Sequence, residues 1–118
     1  GVLGGQIGCA EHELWRRPTP DGTFDTAATS IACAGGLVTY NVVVQERKPE
    51  GPGKLRAIWR SLGSPVPVAV DHLPPAGFVV RAHDGTPEAR PVAPAVVTLE
   101  GKDLTPSRMW SFVRGRAQ

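Results

Sequence analysis

The sequence has few of the residues on which metal and cofactor sites usually depend. It contains two cysteines and three histidines, and no CxxC, HxxxH or HExxH spacing occurs. Zinc sites need four ligands at compact spacings. The nearest approach to a ligand set is Cys9, His12 and Cys33 with one carboxylate, and we therefore expect no metal and no cofactor.

Phosphate loops and membrane-spanning runs are also lacking. No GxGxxG or GxxxxGK frame is present. The longest apolar runs, such as 42–44 and 78–80, fall far short of the roughly 20 residues that a transmembrane helix needs. The net charge of +2 is small for a protein held mainly by phosphate contacts. We expect no membrane span, and charge alone assigns no partner.

The chain has the size and composition of one domain over residues 1–118. Hydrophobic residues make up 41% and charged residues 20% of the chain, which is enough for a single core. The chain starts at Gly1 and its only methionine is Met109. We therefore expect a processed fragment or a domain cut from a longer protein.

Fourteen glycines and twelve prolines favour short strands joined by frequent turns. Period-two alternation with β-branched residues is clearest at 37–47, and weaker β-like runs occur at 66–70, 78–82 and 95–99. Pro67 places its strand at a sheet edge. The prolines between 86 and 94 indicate a surface excursion there.

Two short helices are expected beside these strands. Leu55, Ile58, Trp59 and Leu62 recur at helical spacing after a Pro/Gly-rich loop at 48–53, which predicts a helix at about 54–62. A capping threonine followed by proline predicts a second helix at about 106–114. The predicted fold is thus mainly β (α+β), a curled antiparallel sheet or partly open barrel carrying these helices.

The N-terminal third suggests a hairpin closed by a disulfide. Pro20-Asp21-Gly22 is a turn signature between candidate strands at 11–17 and 23–33. If these three residues form the loop, the sequence numbers of any two residues that face each other across the hairpin add up to 42. This register places Cys9 opposite Cys33. The competing interpretation of the first segment is a helix, which would put Cys9 and His12 on one face.

A cysteine nucleophile needs a nearby imidazole, and Cys9 and His12 are the candidates for that pair. Asp71, His72, His83 and Asp84 adjoin turns at strand ends, where catalytic groups often lie. No GxSxG frame supports combining them with a serine. A cysteine-dependent hydrolase is therefore one alternative function, and the balance of these observations favours a protein that is not an enzyme.

Nucleic-acid binding is the other alternative. Arginines and aromatic residues interleave near the C-terminus and in the first predicted helix, a combination that suits phosphates and stacked bases. The candidate binding residues are Arg108, Trp110, Phe112, Arg114 and Arg116, with Arg56, Trp59 and Arg60. Two ordinary amphipathic helices would have the same pattern.

The leading hypothesis is a non-catalytic interaction or structural module of a larger protein or assembly. It rests on the missing start methionine, on proline-punctuated strand edges that could contact a partner, and on the lack of a catalytic frame. The expected partner is another protein or further copies of this chain.

Overall fold

A computed structural model of the chain describes residues 9–99, which form seven β-strands in two antiparallel sheets. The strands are β1 (Cys9–Pro18), β2 (Phe24–Cys33), β3 (Val38–Lys48), β4 (Gly51–Leu62), β5 (Val66–Leu73), β6 (Gly77–His83) and β7 (Ala95–Thr98). The first sheet has the order β1-β2-β3-β4 and the second the order β5-β6-β7. Each sheet is therefore a meander in which neighbouring strands are consecutive in the chain.

The prediction of a mainly β domain is confirmed. The expected strands at 37–47, 66–70, 78–82 and 95–99 correspond to β3, β5, β6 and β7. Strand β5 lies at a sheet edge, as Pro67 predicts, because an edge strand does not need every backbone N–H for pairing. Residues 84–94 contain no strand and are mostly exposed, which confirms the surface excursion.

The two sheets pack face to face around one apolar core. The buried core residues are Phe24, Ala28, Val42 and Val44 of the first sheet and Val70, Phe78 and Val80 of the second. They come from β2 and β3 on one side and from β5 and β6 on the other, so the inner strands supply most of the packing. Such burial between two sheets is the main stabilising term of a β-sandwich.

A row of side chains across the first sheet shows how the core is filled. Trp15 faces Ala28, Ala28 faces Val42, and Val42 faces Trp59 on successive strands. Both tryptophans pack against the core from the edge strands β1 and β4, while smaller residues occupy the middle of the row. The Trp15 indole N–H also donates to the carbonyl oxygen of Pro67 in the other sheet, at 3.0 Å.

The predicted helix at 54–62 is wrong, because these residues lie in β4. The ladder between β3 and β4 pairs Val42 with Trp59 but Val43 with Ala57, which leaves Ile58 as an extra residue in a β-bulge. Ile58 and Trp59 therefore both reach the core, although plain alternation would separate them. A bulge in a strand has reproduced the spacing of an amphipathic helix.

The loop expected at 48–53 is a tight turn, since Lys48 pairs directly with Gly51. The described residues form two antiparallel sheets instead of one curled sheet, and they form no closed barrel. The expected helix at 106–114 lies outside the described residues. Within 9–99 no helix is long and apolar enough to cross a membrane.

The predicted hairpin of β1 and β2 is confirmed, and Cys9 is bonded to Cys33. The connection is longer than expected, since Pro18 pairs with Asp25 and the facing numbers near the turn sum to 43. A bulge at Leu14 adds one residue to β1 and restores the sum of 42 beyond it. The two cysteines consequently face each other, with 3.9 Å between their α carbons.

Removing this disulfide should destabilise the domain. The bond closes a loop between residues 24 positions apart, for which loss of the cross-link costs about 3 kcal/mol through the entropy of the unfolded chain. We expect Cys9→Ser combined with Cys33→Ser to lower the free energy of unfolding by about that amount in urea titrations. Alkylation of both thiols in the untreated native protein would contradict the bond.

Truncating Phe78 should cost more than any surface change. Its side chain is fully buried between the sheets, and removing a buried aromatic ring typically costs roughly 3–5 kcal/mol. We expect Phe78→Ala to lower the free energy of unfolding by about that amount in urea titrations. Val96→Ala on the neighbouring strand is the control, because Val96 is 67% exposed and should lose little. Equal losses in both variants would contradict the packing described.

Candidate functional site

The candidate catalytic residues of the second sheet lie at opposite ends of β5 and β6. His83 pairs with Val66 at the start of β5, whereas His72 pairs with Phe78 near its end. His72 lies six positions after Val66, which corresponds to about 20 Å along a strand. The two histidine-aspartate pairs therefore do not form one site.

His72 forms a link between the two sheets. Its Nδ1 atom lies 2.6 Å from Asp21 Oδ2 in the turn between β1 and β2, and its Nε2 atom lies 3.2 Å from the carbonyl oxygen of Pro75. The side chain is only 4% exposed. Its ring packs edge-on against Phe24, with 4.8 Å between ring centroids, and next to Phe78 at 5.4 Å. Asp71, which precedes His72 in the sequence, hydrogen-bonds to Arg81 instead.

Asp21 organises the turn that carries it. Its Oδ1 accepts the backbone N–H of Thr23 at 3.0 Å and the hydroxyl of Thr19 at 2.7 Å, while Oδ2 faces His72. These hydrogen bonds favour the ionised form. The Thr23 amide above all, and then the Thr19 hydroxyl and the His72 ring, hold the pKa of Asp21 well below its ordinary value.

The two aspartates among the candidate catalytic residues, Asp71 and Asp84, have structural partners. Asp71 accepts a hydrogen bond from Arg81 at 3.1 Å on the exposed side of the sheet. Asp84 accepts the hydroxyl of Thr86 at 2.6 Å and the amide of Arg90 at 3.1 Å, so it shapes the loop after β6. The Thr86 hydroxyl is the main reason why the pKa of Asp84 is lowered. His83 contacts the backbone carbonyl of Asp84 through Nδ1, not its carboxylate.

Cys9 and His12 are not arranged as a nucleophile and its base. They are three residues apart in β1 and so point to opposite faces, with the Cys9 sulfur bonded to Cys33. Nucleophilic attack needs a thiolate, and the oxidised form has none at Cys9. The cysteine-hydrolase hypothesis thus concerns only the reduced chain, where it stays a prediction. Among residues 9–99, no cluster of histidine, cysteine and acidic side chains is suited to a metal.

The candidate nucleic-acid residues of β4 are divided between the two faces of the sheet. Trp59 pairs with Val42 and packs against the core. Arg60 faces the other way and donates from Nε to Asn41 Oδ1 at 2.8 Å. Arg56 lies on the Trp59 side. The C-terminal candidates at 108–116 lie outside the described residues, and the nucleic-acid hypothesis stays a prediction.

A pocket of about 200 Å³ opens between the sheets beside these elements. It is called the cationic pocket below. Its charged lining residues are Glu46, Lys48, Lys54 and Arg56, and its other lining residues are Thr23, Phe24, Pro75, Ala76 and Leu99. Three cationic and one anionic side chain line the pocket together with apolar residues, an arrangement suited to an anionic group attached to an apolar one.

Arg56 and the neighbouring Lys54 of this pocket belong to the basic segment that the sequence suggested for nucleic-acid contact, whereas no pattern pointed to Lys48. Lys48 and Lys54 flank the Pro/Gly-rich stretch, and interpreting that stretch as a two-residue hairpin turn would have brought them together on neighbouring strands. The link between Asp21 and His72 spans 51 positions. No local pattern predicts it.

No family model, curated protein or solved structure matches this chain.

The lowered pKa of Asp21 should make the free energy of unfolding depend on pH. Because its pKa is lowered in the folded state, Asp21 stabilises the fold above the ordinary carboxyl pKa, and this contribution is lost as pH falls through the lowered value. We expect Asp21→Asn to lower the free energy of unfolding at pH 6 and to differ progressively less from the native protein below about pH 4.

Urea titrations from pH 2 to pH 7 would measure this difference. Asp71→Asn is the matched control, because it removes a carboxylate from an exposed ion pair of a kind that contributes little. An Asp21→Asn variant as stable as the native protein at pH 6 would show that the turn does not depend on the carboxylate.

Proposed function

We propose that this domain is a non-catalytic interaction module that binds an acidic segment of another protein through the cationic pocket. The observation that carries the proposal is the collection of Lys48, Lys54 and Arg56 around one opening between the sheets. Complementary charge at such an opening steers a partner into place and selects against partners of the wrong sign.

The elements that build the pocket favour a peptide over a small ion. Lys48 and Lys54 come from the hairpin of β3 and β4, whereas Pro75 and Ala76 come from the turn between β5 and β6. Phe24 and Leu99 add apolar surface between these charged and uncharged sides. A segment that alternates carboxylates with apolar side chains would match both kinds of lining.

The partners of the candidate catalytic groups also support a binding role. Asp84 holds a turn, Asp71 pairs with Arg81, His72 contacts Asp21, and the sulfur of Cys9 is bonded. Each group thus has an explanation in the fold. General acid-base chemistry would instead need such groups to converge on one reacting atom.

Neutralising the pocket should weaken binding selectively. We expect Lys48→Gln combined with Lys54→Gln to reduce affinity for a short fluorescent peptide of alternating Glu and Leu by about tenfold, the loss of two partly exposed ion pairs. Fluorescence anisotropy at low salt would measure it. Arg81→Gln combined with Arg90→Gln is the control, since both residues are exposed, lie outside the lining and change the net charge equally.

Two outcomes would count against the proposal. If both double variants lose the same affinity, the attraction is a general effect of charge and not a property of the pocket. If a random single-stranded oligonucleotide binds with strong salt dependence while the peptide does not bind, the nucleic-acid alternative replaces the proposal.

A further inference from the structure

Residues 9–99 include four edge strands, and three of them are irregular in ways that hinder pairing with another chain. The edges are β1 and β4 in the first sheet and β5 and β7 in the second. Bulges interrupt β1 at Leu14, β4 at Ile58 and β5 at Val68. Prolines, which have no backbone N–H, also lie in β4 and β5, at Pro52 and Pro67. Both features break the regular row of backbone groups that a further strand would need.

Strand β7 has neither a bulge nor a proline. Its four residues pair with β6 in an unbroken antiparallel register, and none of them is proline. No other strand in the described part of the chain pairs with its second side. The side of Ala95–Thr98 that points away from β6 is called the β7 edge below. Among the four edge strands of residues 9–99, this is the one with a regular edge.

The ladder between β6 and β7 determines which backbone groups point outward. Just beyond it, the Leu99 N–H donates to the carbonyl oxygen of Ala76 at 2.8 Å, which continues the same register by one pair. In a regular antiparallel ladder, residues that bond to the neighbouring strand alternate with residues whose N–H and C=O point away from it. Val97 therefore bonds to β6, whereas Val96 and Thr98 direct both backbone groups outward. The β7 edge thus offers two donors and two acceptors.

The β7 edge leads into the cationic pocket. Leu99 follows β7 directly, lines that pocket, and lies three positions after Val96, which corresponds to about 10 Å along a strand. Strand β4, which carries Lys54 and Arg56 of the lining, contacts β7 from the other sheet. At the opposite end, Pro94 precedes β7 and has no N–H, so a pairing strand would stop there. The regular edge therefore continues in one direction only, toward the cations.

We propose that the β7 edge binds the acidic segment of the partner as an additional β-strand, whose carboxylates enter the cationic pocket. The choice of an acidic segment rests on the function proposed above, whereas the regularity of the edge does not. Main-chain hydrogen bonds to Val96 and Thr98 supply affinity, and alternate side chains supply specificity. Carboxylates on the inner side of the added strand face Lys54 and Arg56, while apolar side chains on its outer side lie beside Val96, which is 67% exposed.

Amide hydrogen exchange of the native protein, followed by nuclear magnetic resonance, tests the pairing directly. In the free protein we expect the Val97 and Leu99 amides to be protected and the Val96 and Thr98 amides to exchange quickly. The Glu/Leu peptide at ten times its dissociation constant should slow exchange at Val96 and Thr98 about tenfold and leave the other two amides nearly unchanged. Unchanged exchange at Val96 and Thr98, or protection of both before the peptide is added, would overturn the proposal.

A proline at position 96 should block the edge. Val96→Pro removes an N–H that points outward, so it leaves the hydrogen bonds to β6 in place. We expect affinity for the Glu/Leu peptide to fall about tenfold, because one donor is lost and the ring obstructs the added strand. Val96→Thr is the matched control, since it keeps the N–H and a β-branched side chain, and it should bind like the native protein. Native affinity in Val96→Pro would overturn the proposal.

Methylated peptides test the pairing without any change to the protein. Only alternate residues of an added strand direct their N–H toward β7. One version of the Glu/Leu peptide carries a methyl group on the backbone nitrogen of every Glu, and the other carries it on that of every Leu. We expect their affinities to differ about tenfold, because only one of the two versions loses the hydrogen bonds to β7. Equal affinities would contradict strand pairing.

The proposed function and this inference fail in different ways. If the peptide slows exchange at Val96 and Thr98 but binds the Lys48→Gln and Lys54→Gln double variant as tightly as the native protein, strand pairing stands and selection of an acidic partner by the pocket is wrong. If the double variant binds less tightly while Val96 and Thr98 exchange at the same rate with and without peptide, the proposed function stands and pairing at the β7 edge is wrong.

Discussion

The packing of aromatic and β-branched side chains between the two sheets is the interaction on which the rest of this structure depends. Phe24 of the first sheet meets Phe78 of the second edge to face, at 4.9 Å between ring centroids, and both are buried. Without this contact, the inner face of each meander would be uncovered, and isolated strands without a covered apolar face are only marginally stable. The same Phe24 also lines the cationic pocket, so one side chain contributes both to the core and to the shape of the pocket.

Two β-bulges fit the first sheet to this core. One lies at Leu14 in β1 and the other at Ile58 in β4, and each comes directly before a tryptophan that packs against the core. An extra residue shifts the alternation of side chains, so Trp15 and Trp59 reach the inner face from opposite edges. Bulges at edge strands also disturb the regular rows of backbone groups that could pair with another chain.

Much of the strand layout could be predicted from the sequence because alternation in a strand is a local property. Val42 and Val44 face the core, and Val43 faces the other side, as period two requires. The pairing of Cys9 with Cys33 was predicted from a three-residue loop, yet it results from a longer loop combined with the bulge at Leu14. The longer loop shifts the register by one residue, and the bulge shifts it back by one residue. The predicted pairing is therefore correct, although the prediction included neither feature.

The helix predicted at 54–62 is wrong because its apolar spacing arises from a bulge in a strand. Leu55, Ile58, Trp59 and Leu62 fit a helical face, but Leu55 packs on the outer side of the sheet and Leu62 is 63% exposed. A bulge depends on the ladder formed with β3, so a pattern along one strand cannot distinguish it from a helical turn.

The sequence by itself determined a mainly β fold, the positions of most strands and the pairing of the two cysteines. Alternation, turn residues and chain length suffice for these features because each arises from neighbours in the chain. Only the tertiary structure decided that the chain forms two packed sheets, that Lys48, Lys54 and Arg56 surround one pocket, and that His72 meets Asp21 from 51 positions away. Those contacts depend on how one sheet packs on the other. A local sequence pattern does not predict them, because the residues that meet are far apart in the chain.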